Sequence, residues 1–273
     1  MVVIKSLTEG FKFAISLKRI IPYFILDLVV FSLIMSFFGR IMDIALGSIG
    51  FFGFFAYLGI YVIAFIIIGL IGIWVNAAMI DQAKYPRKKP LLKSFEYSTS
   101  KFLTMIATVI LYAVIAVIVS LPPYIGGLLG FLYSLVFFYI YQAIIIDGKS
   151  VIDSFKQSWN VFKRYPLETF VTWLLVMIIC LIIIGIFLTP IIFYLIGSLI
   201  GSLKTLETTN ATITREIIRT KIMPMIISVI YTPYFVPYLI IACIGFSFQT
   251  LFFIGTQSRL YINLKKGKLS SEE

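Results

Sequence analysis

Residues 102–121 read FLTMIATVILYAVIAVIVSL, and they decide the fold. No side chain in this stretch is charged and no face of it is polar. A helix of about 20 residues, rising ~1.5 Å per residue, is the length that crosses the ~30 Å hydrocarbon layer of a bilayer. A membrane-spanning strand would alternate polar and apolar over about ten residues, which this stretch does not do. Working outward, apolar blocks of similar length recur at Ile20 to Phe38, Tyr57 to Ile80, Tyr124 to Ile146, Leu167 to Leu188 and Pro237 to Leu260. With Phe102 to Leu121 they make six spans. The composition agrees: 60% of the 273 residues are hydrophobic and 13% charged, against roughly 45–50% and ~25% in soluble domains. The expected fold class is all-α integral membrane, one membrane domain over residues 1–273.

Pro122-Pro123 followed by Gly126-Gly127 marks a tight turn, so spans three and four are expected as an antiparallel hairpin. Two shorter Gly-containing apolar pieces, Ile44 to Phe55 and Pro190 to Leu203, adjoin full spans and are read as interfacial or re-entrant segments. Gly126 with Gly130, and Gly197 with Gly201, have the spacing that lets helices approach closely.

The net charge of +11 sits between spans rather than on a separate basic domain, which argues against nucleic acid and for topology signals. With six spans, 18 of the 23 Lys and Arg residues fall on the side of the N-terminus, including Lys84, Arg87, Lys88, Lys89 and Lys93. The expected location is therefore the cell membrane, with both termini cytoplasmic. The same five residues are candidates for contact with anionic lipid headgroups, although positive-inside signalling explains them as well. Residues 1–19 lack the features of a cleaved signal peptide. Asn210-Ala211-Thr212 forms a glycosylation sequon on the side opposite the termini. Cys180 and Cys243 lie within apolar blocks and read as small buried side chains.

An internal similarity runs at an offset of 144: Ser6, Glu9, Gly10, Phe11, Lys12, Ala14, Arg19 and Pro22 match Ser150, Asp153, Ser154, Phe155, Lys156, Ser158, Lys163 and Pro166. A fainter copy, Ser94, Phe95 and Ser98, precedes the third span. Ile4, Leu7, Phe11, Ala14 and Ile15, and likewise Ile152, Phe155, Trp159 and Phe162, recur at helical steps and predict amphipathic interfacial helices. Pro22 and Pro166 would then open the following spans. The even spans share Asn76-Ala77, Gln142-Ala143 and Gln257-Ser258, with Asp81 and Asp147 five residues after the first two amides. The expected architecture is three pseudo-repeated units, residues 1–83, 84–148 and 149–273, each an amphipathic helix plus a helical hairpin. Parallel units differ from the inverted repeats of many secondary carriers.

The run Gln142, Asp147, Gly148, Ser150, Ser154, Phe155, Ser158 and Trp159, with Arg259-Leu260-Tyr261, resembles a group of uncharacterised prokaryotic six-span proteins related to the membrane domain of some glycerophosphodiester phosphodiesterases. The resemblance implies six spans and brings no established activity. The soluble phosphodiesterase chemistry has no residues here to carry it, because the chain has no His and no carboxylate cluster in a soluble segment.

The lack of His also excludes His-based acid/base catalysis, His metal ligands and Ser-His-Asp triads, so no catalytic, cofactor or metal residues are expected. Asp27 is the acid placed well inside a span; it marks a transport or proton role, or sits near the headgroups paired with Lys18 or Arg19. Asn76, Gln142 and Gln257 line a polar pathway or hydrogen-bond between helices. The functional expectation is a non-enzymatic scaffold or assembly component of the cell membrane, with lipid and a membrane protein as partners. The alternative is a transporter or lipid translocator.

Overall fold

A computed structural model describes residues 2–45, 50–85, 89–207 and 232–269. Among them there is no strand. The helices are α1 (Val2–Ala14), α2 (Leu17–Ala45), α3 (Phe51–Lys84), α4 (Leu91–Ser120), α5 (Gly126–Val136), α6 (Ile140–Asp147), α7 (Val151–Arg164), α8 (Pro166–Glu207) and, after a 3-10 turn at Pro233–Phe235, α9 (Val236–Leu269). Among the described residues, six segments are long and apolar enough to cross a membrane: Leu17–Ile41, Phe52–Lys84, Leu91–Ser120, Gly126–Asp147, Pro166–Ser198 and Pro233–Lys266. Each contains or nearly matches one of the six expected spans.

Several local expectations change. Ile44 to Phe55 and Pro190 to Leu203 are not separate pieces where they are described: the first is divided between the end of α2 and the start of α3, and the second lies within the 42-residue α8. Pro190 is accommodated inside α8. The physical reason is that an apolar run adjoining a span continues its backbone hydrogen bonding at no cost in exposed polar groups, which a re-entrant loop cannot do. Pro166 does open α8, but Pro22 lies inside α2, whose first turn begins at Leu17. The third entry segment is not a separate helix either, because Ser94 and Ser98 belong to α4 itself.

The expected hairpin forms between α4 and α5. Gly126 N donates to Pro122 O at 2.8 Å and Ile125 N to Pro123 O at 2.9 Å. Tyr124 carries the positive φ of the turn, 70°. A Cβ on Gly126 would lie 2.1 Å from Ser120 O, so only glycine allows this approach. Further along, Tyr133 OH donates to Tyr112 O at 3.2 Å, the register of an antiparallel pair. Gly197, by contrast, has nothing within 4 Å of where a Cβ would stand.

The chain divides into two compact units, through both of which α2, α3, α8 and α9 run. One comprises Met1–Tyr23, Gly69–Leu181 and Phe248–Glu273; the other comprises Phe24–Ile68 and Ile182–Ser247. The first is built on fully buried side chains including Met79, Tyr139, Ile144, Phe252 and Tyr261. The second rests on aromatic contacts, among them Phe37 with Tyr61 at 5.0 Å and Tyr194 stacked on Tyr238 at 4.8 Å. Ser36 Oγ and Tyr61 OH are 2.6 Å apart there.

Candidate functional site

Each entry segment buries a pair of small residues, on α1 together with Phe13 and on α7 together with Val161. On α1 the buried side includes Gly10 and Ala14, on α4 Ser94 and Ser98, and on α7 Ser154 and Ser158. Each pair is four residues apart, one turn on the same face. Part of the apolar stripe read from the periodicity faces elsewhere, with Ile4 (69%), Ile152 (63%) and Trp159 (47%) exposed, while Phe11 packs against Phe248 and Phe252, Phe155 against Phe137, and Ala14 is buried. A small face lets two helix backbones approach, so each entry helix is seated closely on a neighbour.

Each seat has its own contact. A Cβ on Gly10 would stand 2.7 Å from Thr256 N, so α1 lies against the backbone of α9. Ser98 Oγ donates to Trp74 O of α3 at 2.6 Å. Ser158 Oγ donates to Val136 O at 3.0 Å and accepts from Tyr139 N at 3.1 Å. These last two atoms belong to a break in the fourth span, where Phe137–Tyr139 interrupts the helix between α5 and α6. The side chain of Ser158 takes up backbone groups that the interrupted helix leaves open.

The three amides meet in one cavity. Asn76, Gln142 and Gln257 line a space of about 330 Å³ together with apolar residues such as Ile80, Met105 and Phe253. Asn76 Oδ1 accepts from Tyr23 OH at 2.5 Å. Gln257 Nε2 donates to Phe138 O, the carbonyl within the break. Gln142 is different: its side chain is fully buried, and neither Nε2 nor Oε1 has a hydrogen-bond partner among the described residues. Convergence of the amides was an open reading of the sequence. The hydroxyl partner Tyr23 was missed, since a Tyr at a span end is ordinary.

Asp27 belongs to the second unit. Its Oδ2 accepts from Ser247 Oγ at 2.7 Å, and the same hydroxyl also reaches Cys243 O at 2.7 Å. The partner is thus a hydroxyl of α9 rather than the Lys18 or Arg19 suggested by proximity in sequence. Arg19 lies over the ring of Phe13 at 4.2 Å and donates to Phe13 O at 3.2 Å.

The basic cluster is partly committed to the protein. Lys84 Nζ donates to Ile146 O at 2.7 Å, and Lys89 Nζ pairs with Asp81 Oδ2 at 2.5 Å. Lys93 is exposed. Arg87, Lys88 and the sequon residue Asn210 lie outside the described residues. Asp147, five residues after Gln142, accepts from Lys265 Nζ at 2.8 Å and from Tyr261 OH. Cys180 and Cys243 are free and buried, as their apolar setting implied.

Six apolar helices of spanning length among the described residues define a multi-pass all-α membrane protein. No protein-family model matches the chain, and neither does any curated protein or solved structure.

Proposed function

We propose that the chain is a non-enzymatic component of the cell membrane that scaffolds or assists the assembly of other membrane components, with both termini in the cytoplasm. The observation that carries this reading is the use of its polar groups. Asp27 is bonded to Ser247, Asn76 to Tyr23 and Gln257 to the backbone of Phe138. These are bonds between helices, the use expected of polar residues that hold a membrane protein together. A conduction route would instead leave such groups facing a continuous opening.

The three-unit reading belongs to the same proposal and is supported by the seating of the small pairs. Ser94 and Ser98 sit against α3, Ser158 against the fourth span, and Gly10 against α9. Each unit's entry segment thus docks on the second span of the unit before it, and the first unit docks on the last. Membership of the six-span prokaryotic family is also part of the proposal. Large exposed side chains, such as Ile63, Ile66 and Ile67 of α3 and Val114, Val117 and Ile118 of α4, supply apolar surface for lipid and for a membrane protein partner.

The test is gentle extraction from native membranes followed by native mass spectrometry, paired with a gene deletion. A stoichiometric partner whose abundance or assembly falls on deletion is the expected result. Unchanged abundance, assembly and location of every membrane complex would overturn the proposal.

One observation favours the alternative, a transporter or lipid translocator: the unpartnered amide of Gln142 in a cavity with two other amides. That reading requires protein-dependent flux in liposomes that Gln142→Leu or Asp27→Asn abolishes. Flux unchanged in both variants removes these residues from any route.

A further inference from the structure

The compact unit that holds the amide-lined cavity also holds a second, of about 500 Å³, which differs in carrying charged side chains in its lining. Its wall is assembled from the end of α6, the linker to α7, one face of α7, the turn before α8 and the end of α9. The polar lining comprises Asp147, Lys149, Gln157, Asn160, Arg164 and Lys265. Gln157, Asn160 and Arg164 follow one another at three and four residues, so α7 presents all three on one side.

The charges do not cancel. Asp147 takes Lys265, with Nζ 2.8 Å from both carboxylate oxygens. Lys149 and Arg164 have no ion pair among the described residues. The guanidinium of Arg164 lies 5.6 Å from the ring centroid of Tyr165, within cation–π range, and as a planar fork it can donate two parallel hydrogen bonds to one phosphate. Two uncompensated cations, one of them a planar fork, beside two side-chain amides are the donor set that recognises phosphate.

Leu167, two residues beyond the lining residue Tyr165, is 70% exposed. An exposed apolar side chain at the start of α8, close to a basic cavity at the end of a span, fits an anionic head with an apolar tail. We propose that this cavity binds a phosphate ester, with Arg164 and Lys149 holding the phosphate oxygens and Gln157 and Asn160 completing the donor set. None of Lys84, Lys89 and Lys93 lines this cavity, and the proposal does not depend on whether the chain is a scaffold or a translocator.

The experiment uses the full chain in detergent and native mass spectrometry with dioleoyl phosphatidic acid, against phosphatidylcholine of the same acyl chains. One phosphatidic acid retained per chain is expected, with affinity at least tenfold lower after the double change Lys149→Gln and Arg164→Gln. Removing the same charge nearby, by Lys156→Gln and Lys163→Gln, is expected to leave that affinity within twofold. Asn160→Trp, which obstructs the cavity without altering charge, is expected to weaken binding as the double change does. Competition by glycerol 3-phosphate would assign the site to a free phosphate ester, and its absence to a lipid headgroup; both uphold phosphate binding. Unchanged affinity in the Lys149/Arg164 variant, equal loss in the Lys156/Lys163 variant, or full binding by Asn160→Trp would each overturn the proposal. Circular dichroism and elution volume show that each variant is folded.

Discussion

Ser158 of α7 accepts the amide hydrogen of Tyr139 at 3.1 Å, across an interruption of the fourth span and from a different helix. Its hydroxyl also donates to Val136 O, so one side chain serves both ends of the break. Replacement by alanine leaves the buried N–H of Tyr139 without its partner, at a cost of about 1–3 kcal/mol. Ser154 offers the contrast, because among the described residues its hydroxyl bonds Val151 O of its own helix and no other segment. Unfolding in mixed micelles should show Ser158→Ala destabilised by about that amount and Ser154→Ala by under about 1 kcal/mol. Equal effects would deny Ser158 its bridging role.

The seat of α1 on α9 predicts a sharp difference between two glycines. At Gly10 an added Cβ meets Thr256 N at 2.7 Å and its Oγ1 at 2.0 Å, whereas at Gly69 it meets nothing within 4 Å. Gly10→Ala should cost about 1–3 kcal/mol through overpacking. Gly69→Ala should be neutral or stabilising by up to about 1 kcal/mol through helix propensity. Thermal melting, with hydrogen exchange of residues 2–14 as the local readout, decides the matter; a tolerated Gly10→Ala would mean that the seat yields.

Gln142 carries a prediction of opposite sign to most core changes. A leucine removes two buried polar atoms that have no protein partner, and the gain in stability should be about 1–3 kcal/mol. Denaturation of Gln142→Leu in detergent measures it. A loss of stability would mean that the amide is bonded to water or to a ligand in the cavity.

Orientation is open to direct labelling. The native thiols of Cys180 and Cys243 are buried, and alanine at both provides a silent background. An impermeant maleimide should then modify Thr209→Cys on intact cells, and Lys93→Cys or Lys156→Cys only after permeabilisation. The reverse pattern would invert the topology drawn from the charge bias.

The spans were legible because a bilayer demands a minimum apolar length, and Phe102 to Leu121 meets that demand without reference to any other part of the chain. The hairpin turn was legible for a similar reason, since Pro122 and Pro123 fix their own φ and Gly126 has no Cβ to obstruct the close approach. The break at Phe137–Tyr139 was not: it contains neither Gly nor Pro and is held by Ser158 and Gln257 from distant segments. The entry helices were half legible. Periodicity marks a stripe of large residues such as Ile152 and Trp159, but closeness of approach is set by Ser154, Ser158 and Gly10, whose importance depends on what they meet. The amides were visible as a recurring pattern, while their division into two bonded groups and one unbonded group required neighbours to be in place.

The contact between α1 and α9 has a consequence for the order in which the molecule is completed. Asn263 of α9 donates to Ser6 of α1 across a separation of 257 residues. At synthesis rates of 5–20 residues per second, α1 waits roughly 13–50 s at the membrane before that partner exists. For this interval its small-residue face is a vacant berth, open to the insertion machinery or to a chaperone until the nascent chain brings the rightful occupant.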